Sequence, residues 1–193
     1  MIRLIEPRSL LLIALVACTF GRDAAAREPK SGGTTLINET KLAPTVWTDE
    51  YLAEVRAGMK VGDVGKTTVD YTYTYQFGYG SDAERIVSCE VIVTIGVGLA
   101  EWKHYGRRPA ADREWDRFVG ELARHEQGHV EIAKRLFEGA ADRCLGKSAA
   151  ECQAALDAIM QREHVEQRAY DRDTEHGVRT GAALAGSDKR PTR

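Results

Sequence analysis

Between Thr67 and Phe77 the chain alternates strictly. Val69, Tyr71, Tyr73, Tyr75 and Phe77 are separated by Asp70, Thr72, Thr74 and Gln76. A period of two predicts a strand with one packed and one wet face. After a turn-rich break at 78–82, Val87, Cys89, Val91, Val93, Ile95 and Val97 repeat the pattern. The two stretches read as an antiparallel pair joined by a loop. Upstream, 34–38 has the residues of a short first strand. Thr48 then heads a short helix whose stripe is Leu52, Val55 and Met59, with Gly58 and Gly62 around its end.

From about residue 112 to 143 the spacing changes to three and four. Trp115, Phe118, Leu122, Ile132 and Leu136 mark one stripe, widened by Val119, Ala133 and Phe137. Arg117, Arg124, Glu131, Lys134, Arg135 and Glu138 mostly take the other side. Residues 145–148 interrupt the pattern, and Ser148 is the expected N-cap of a second helix reaching about Tyr170. Beyond Gly181 the Gly/Ala/Lys/Arg tail has nothing to bury and is expected to be disordered. The pattern predicts an α+β fold: a small antiparallel sheet packed on the long helix and on a second, C-terminal helix. The expected organisation is a signal and linker over 1–26, one domain over 34–183 and a tail over 184–193.

Composition fits one soluble domain: 193 residues, 43% hydrophobic and 29% charged. The net charge of -2 offers no footprint for nucleic acid. The N-terminus predicts export. Arg3 and Arg8 precede an apolar run over 10–17, too short to span a bilayer but suited to a signal peptide. Leu15-Val16-Ala17-Cys18 resembles a lipobox, which would make Cys18 a lipid anchor. Ala24-Ala25-Ala26 is the rival cleavage site. Residues 23–33 then read as a tether. In an exported protein, Cys144 and Cys152 on either side of the helix–helix turn suit a disulfide, with Cys89 the rival partner.

The chemistry concentrates at His125-Glu126-Gln127-Gly128-His129, inside the long helix. At ~100° per residue the two imidazoles project within ~40° of each other, on the apolar side. Two nitrogens one turn apart can hold one metal ion, and Glu126 beside them is placed to take a proton from water. Inward polar groups of this kind need partners, because burial without them is costly. A catalytic zinc site needs a third protein ligand. His104, His164, His176 and several acids are the candidates. His104 lies among Arg107 and Arg108, which repel a cation, and His164 reads as a solvated helical residue. His176 follows the second helix beside Gly177, where the backbone can turn back, and position favours it.

The export signal, the cysteine-bearing strand, Arg124–His129 and the stretch Tyr170-Asp171-Arg172-Asp173-Thr174-Glu175-His176-Gly177 together resemble a known bacterial family. It is a domain of unknown function (922), described as predicted secreted zinc-dependent proteases, and the resemblance spans about 35–183. It implies a zincin-like fold, Zn2+ held by His125, His129 and His176, Glu126 as general base, and a peptide or protein substrate. The sequence departs from the family pattern at Leu99-Ala100-Glu101-Trp102, where a proline is expected before the tryptophan. Asp171 or Asp173 could orient His176, and Tyr170 could stabilise an oxyanion. The alternatives are a structural zinc site in a non-enzymatic envelope protein, or a metal-free interaction domain whose histidines bond to carboxylates.

Overall fold

The computed structural model describes residues 31–59 and 64–185. The signal segment with Cys18, the rival cleavage site, Gly62 and residues 186–193 lie outside the described residues. In chain order the elements are β1 (Gly32–Lys41), β2 (Val46–Trp47), α1 (Leu52–Gly58), β3 (Gly65–Phe77), β4 (Ile86–Leu99), β5 (Glu101–Trp102), α2 (Pro109–Phe137) and α3 (Ala149–Thr174), with short 3-10 turns between some of them.

β3 and β4 pair antiparallel, from Gly65 opposite Leu99 to Phe77 opposite Ile86, as the short loop joining them predicts. β1 takes the other side of β4 and runs parallel to it, with Gly32 opposite Ser88 and Lys41 opposite Val97. The main sheet is therefore mixed, in the order β1-β4-β3, and not antiparallel throughout. The cause is where the chain re-enters: β1 ends and β3 begins at the same end of β4. β3 runs down and β4 returns between the two, so β1 and β4 share a direction. Alternation reports which face a residue takes, not the direction of its neighbour.

The helices cover one face of the sheet. Cys89, Val91, Val93 and Ile95 of β4 are buried there with Val130, Ala133, Leu136 and Phe137 of α2 and Cys152, Leu156 and Ile159 of α3. Each fully buried Val, Leu, Ile or Phe contributes ~1.5–3 kcal/mol relative to exposure. Asp70, Thr72, Thr74 and Gln76 take the open face. Tyr71 and Tyr73 lie on the helix side, and their hydroxyls donate to Asp157 (2.9 Å) and Gln153 (2.5 Å) of α3. Burial and the Asp157 carboxylate push the Tyr71 phenol up to about 12. Packing on α3 thus accounts for this half of the tyrosine row. A second cluster, with Leu52, Val55, Trp102, Trp115, Phe118 and Leu122, surrounds the N-terminal half of α2.

Several boundaries differ from expectation. α2 stops at Phe137 instead of running to 143, because Glu138 takes ψ 124° and Gly139 the left-handed region (φ 64°). Tyr51, not Thr48, precedes α1 as its N-cap. Ser148 does cap α3, in a reciprocal box with Glu151, and α3 continues a turn past Tyr170 to Thr174. The tail also orders further than expected. Ala182 and Leu184 are buried, and Arg117 donates to the carbonyls of Gly181 (2.9 Å) and Ala183 (2.7 Å).

α2, the turn and α3 form a helical hairpin. Cys144 and Cys152 are disulfide-bonded across the turn with Cα atoms 4.5 Å apart, and Cys89 is buried and free. A loop this short is worth about 2–3 kcal/mol in the chain-entropy account. The Cys144→Ser/Cys152→Ser protein is expected to lose about that much in urea unfolding. An unchanged unfolding midpoint would show that the packed turn holds the hairpin without the bond.

Candidate metal centre

The facing surfaces of the hairpin build the site. On α2 the apolar stripe is interrupted by His125, Glu126 and His129, all buried. On α3 the stripe Cys152, Leu156, Ile159 continues at the same spacing into Glu163, Gln167 and Asp171. Two apolar seams thus become polar at the same level, where the helices lie against each other. Gly128 permits the close approach. A Cβ there would overlap the Tyr170 hydroxyl, so the ring keeps this position only against a glycine. The Tyr170 ring stacks on His125 (centroids 5.0 Å apart, planes 12° apart) and meets His129 edge-on.

His125 and His129 turn their Nε2 atoms to one point, 3.2 Å apart. Asp171 Oδ1 completes a triangle, 3.2 Å from His125 Nε2 and 3.0 Å from His129 Nε2. Among the described residues these three donor atoms form one of the two groups able to share an ion; the other is the three cysteines, two of which form the disulfide. A tetrahedral zinc ion with bonds of ~2.0–2.1 Å separates its ligand atoms by roughly 3.3 Å, close to the observed triangle.

Hydrogen bonding on the far sides of the rings explains why this point suits a cation. His129 Nδ1 bonds to the Gln167 side-chain oxygen. The Gln167 amide nitrogen spends its hydrogens on the His129 carbonyl (3.0 Å) and on Glu163 Oε1 (2.7 Å), which fixes which amide atom is oxygen. His129 Nδ1 must therefore donate, leaving a lone pair on Nε2. His125 Nδ1 lies 3.4 Å from Thr174 Oγ1, whose hydroxyl donates to the Tyr170 carbonyl at 2.7 Å. Its Nε2 is likewise an acceptor. With both rings neutral, two lone pairs and a carboxylate oxygen converge, a set that suits a positive ion. Burial, with His129 adding to it, holds His125 below the usual imidazole range.

Glu126 sits beside the triangle, 4% exposed, and accepts a hydrogen bond from Thr67 Oγ1 at 2.6 Å. Thr67 faces the helices because it shares the strand face of Val69 and Tyr71. Gly65, one more alternation back, has no side chain to collide with the Glu126 carboxylate. Burial pushes the Glu126 carboxyl above its ordinary value, and the Thr67 bond and His129 oppose that rise.

His176, the expected third ligand, does lie at the site's edge. Glu175, His176 and Gly177 are consecutively left-handed (φ 50°, 52° and 85°) and turn the chain back over His125, as the glycine predicted. The His176 Nδ1 is 3.5 Å from Asp171 Oδ1, and its side chain is 51% exposed. Asp171 stands nearer the two buried histidines than its expected role behind His176 required. The signal was present: 163, 167 and 171 continue the α3 stripe. An expected helix end at Tyr170 puts Asp171 in a loop and hides that stripe. His164 is largely exposed on the cleft wall, and His104 pairs with Asp112 (2.8 Å) elsewhere.

A cleft of about 610 Å³ opens over this cluster, lined among others by residues 64–69 of the β3 edge, Glu126, Glu163, His164 and His176. Fold and site together define an α+β domain built on a helical hairpin with a buried His–His–Asp cluster beside a buried glutamate. The profile of the family described as "Bacterial protein of unknown function (DUF922)" matches residues 48–177, and the chain belongs to that family. The match takes in every residue of the cluster. No curated protein and no solved structure matches the chain.

Proposed function

We propose that this protein is an exported zinc-dependent metallopeptidase of the cell envelope. The observation that carries the reading is the triangle of acceptor atoms from His125, His129 and Asp171 with Glu126 beside it. His125 and His129 would hold Zn2+ with Asp171. His176, the ligand implied by the family resemblance, stands at the open side as a further donor. When bound, the ion would supply Lewis acidity, polarising a peptide carbonyl and making water more acidic. Glu126 takes the proton from the attacking water and passes it to the leaving amine. Thr67 orients the carboxylate by donating to one of its oxygens, and the other takes the proton. Leu122 and Val69 line the apolar side of the cleft.

β3 is the edge of its sheet, so a peptide can add as a further strand along 65–69 and carry its scissile bond past Glu126. The balance of charge gives no reason to invoke nucleic acid as a substrate. Metal analysis of the purified mature domain beside its Glu126→Gln variant tests the reading. Bound zinc and a peptidase activity lost in the variant support it; zinc with no activity in either makes the site structural; no zinc returns the cluster to a hydrogen-bonded core.

Export follows from the N-terminal sequence, with Cys18 as lipid anchor. Mass spectrometry of the mature N-terminus is expected to find a lipidated Cys18. An unmodified chain beginning at Arg27 would remove the anchor and retain export.

A further inference from the structure

We infer that Gln167, held in turn by Glu163, is a positioning residue that keeps His129 in the Nδ1–H tautomer and so reserves its Nε2 lone pair for a cation. This rests on the metal-site reading above. A neutral imidazole carries its proton on either nitrogen, and only the Nδ1–H form can ligate through Nε2. In water the two forms lie close in energy, so a site that leaves the choice open spends part of its affinity on the wrong one. Here the choice is made by a chain of donors and acceptors. His129 Nδ1 donates to the Gln167 amide oxygen. The Gln167 amide nitrogen donates to Glu163 Oε1 at 2.7 Å and to the His129 carbonyl at 3.0 Å.

A glutamine alone could not do this, because its amide can rotate to present nitrogen instead of oxygen. Rotation here would aim the amide oxygen at a carboxylate and a carbonyl, acceptor against acceptor. Glu163 is what forbids it. Glu163 is 2% exposed, the one buried acid of α3, and an acid is costly to bury without a purpose. Its position four residues before Gln167, which itself lies four before Asp171, places anchor, relay and ligand on one face of α3. Carboxylates commonly orient metal-binding histidines directly; here an amide stands between, which spares the site a second negative charge against His129.

The test has one readout that needs no metal. In the metal-free protein at mildly alkaline pH, nitrogen–proton NMR of the imidazoles is expected to show His129 as a single Nδ1–H tautomer. The Gln167→Leu variant, which keeps the volume and removes the acceptor, is expected to show a mixture. With zinc ion as probe, competed by a chromogenic chelator, Gln167→Leu should bind roughly 10–100-fold more weakly than the parent. The exchanged pair Glu163→Gln/Gln167→Glu restores the acceptor at 167 and a donor behind it. It is expected to recover both the single tautomer and most of the affinity, which a merely structural role for Gln167 would not predict. An Nε2–H tautomer in the parent, or a Gln167→Leu protein that keeps the parent's tautomer and zinc affinity, overturns the inference. If the parent binds no zinc, the peptidase reading fails while the tautomer measurement still decides the relay.

Discussion

Asp171→Ala is expected to lose zinc altogether, and His176→Ala to weaken it by about 10–100-fold. The difference follows from where the two side chains stand. Asp171 Oδ1 is within 3.2 Å of both buried Nε2 atoms, so its removal leaves two buried neutral nitrogens and an outlying imidazole, with no negative charge among them, to hold a dication. His176 is half-exposed and reaches the cluster only through Asp171, at 3.5 Å. The metal-free proteins provide the control for folding. Asp171→Ala removes one of three acceptors that face each other, so it should melt no lower than the parent. Titration with zinc ion, read by chelator competition, compares the variants. The reverse order, with His176→Ala empty of zinc and Asp171→Ala weakened only modestly, would make His176 the ligand and Asp171 the group that orients it.

The legibility of this molecule divides along physical lines. Period two in 67–77 and 87–97 located β3 and β4, because a half-buried strand writes its burial directly into alternation. The stripe of α2 put His125 and His129 inward for the same reason, and both are buried. Ser148 was legible as a cap because capping chemistry is local, and the cysteine pair because eight residues across a tight turn leave little choice of geometry. What the sequence hid was tertiary. Nothing local says that β1 lies parallel to β4, since its partner is more than fifty residues away. Thr67 reads as one polar residue among several in a strand, and its bond to Glu126 exists only once sheet and helix are packed. Leu184 looked like the start of a tail, yet its burial depends on the cluster around Trp115, which the chain assembles from distant segments. Asp171 falls between these cases: its stripe was in the sequence, but a helix ended one turn early concealed it.

Glu126→Gln is expected to keep zinc and fold while lowering peptide cleavage by about 10²–10⁴-fold, the usual contribution of a positioned general base. The substitution conserves shape, and the Thr67 hydroxyl can still donate to the amide oxygen, so the cleft should stay intact. It removes only the basic oxygen. Glu126 lies beside the cluster and is not one of the three converging donor atoms, so zinc affinity should change far less than in Asp171→Ala. Stability gives a second, independent sign. Burial raises the Glu126 carboxyl above its unfolded value. A group so shifted stabilises the fold fully only while protonated, below its unfolded pKa, and that contribution is lost as the pH rises through the folded pKa. Above the folded pKa the ionised carboxylate is therefore a burden on the metal-free protein, and there the neutral glutamine should melt higher than the parent. Adding zinc should narrow the difference, because a nearby cation favours the carboxylate and not the amide. Calorimetry with and without zinc ion, beside a peptide-cleavage assay, reads all three effects. Cleavage retained at the parent's rate would deny Glu126 the role of base, even if the metal were bound as expected.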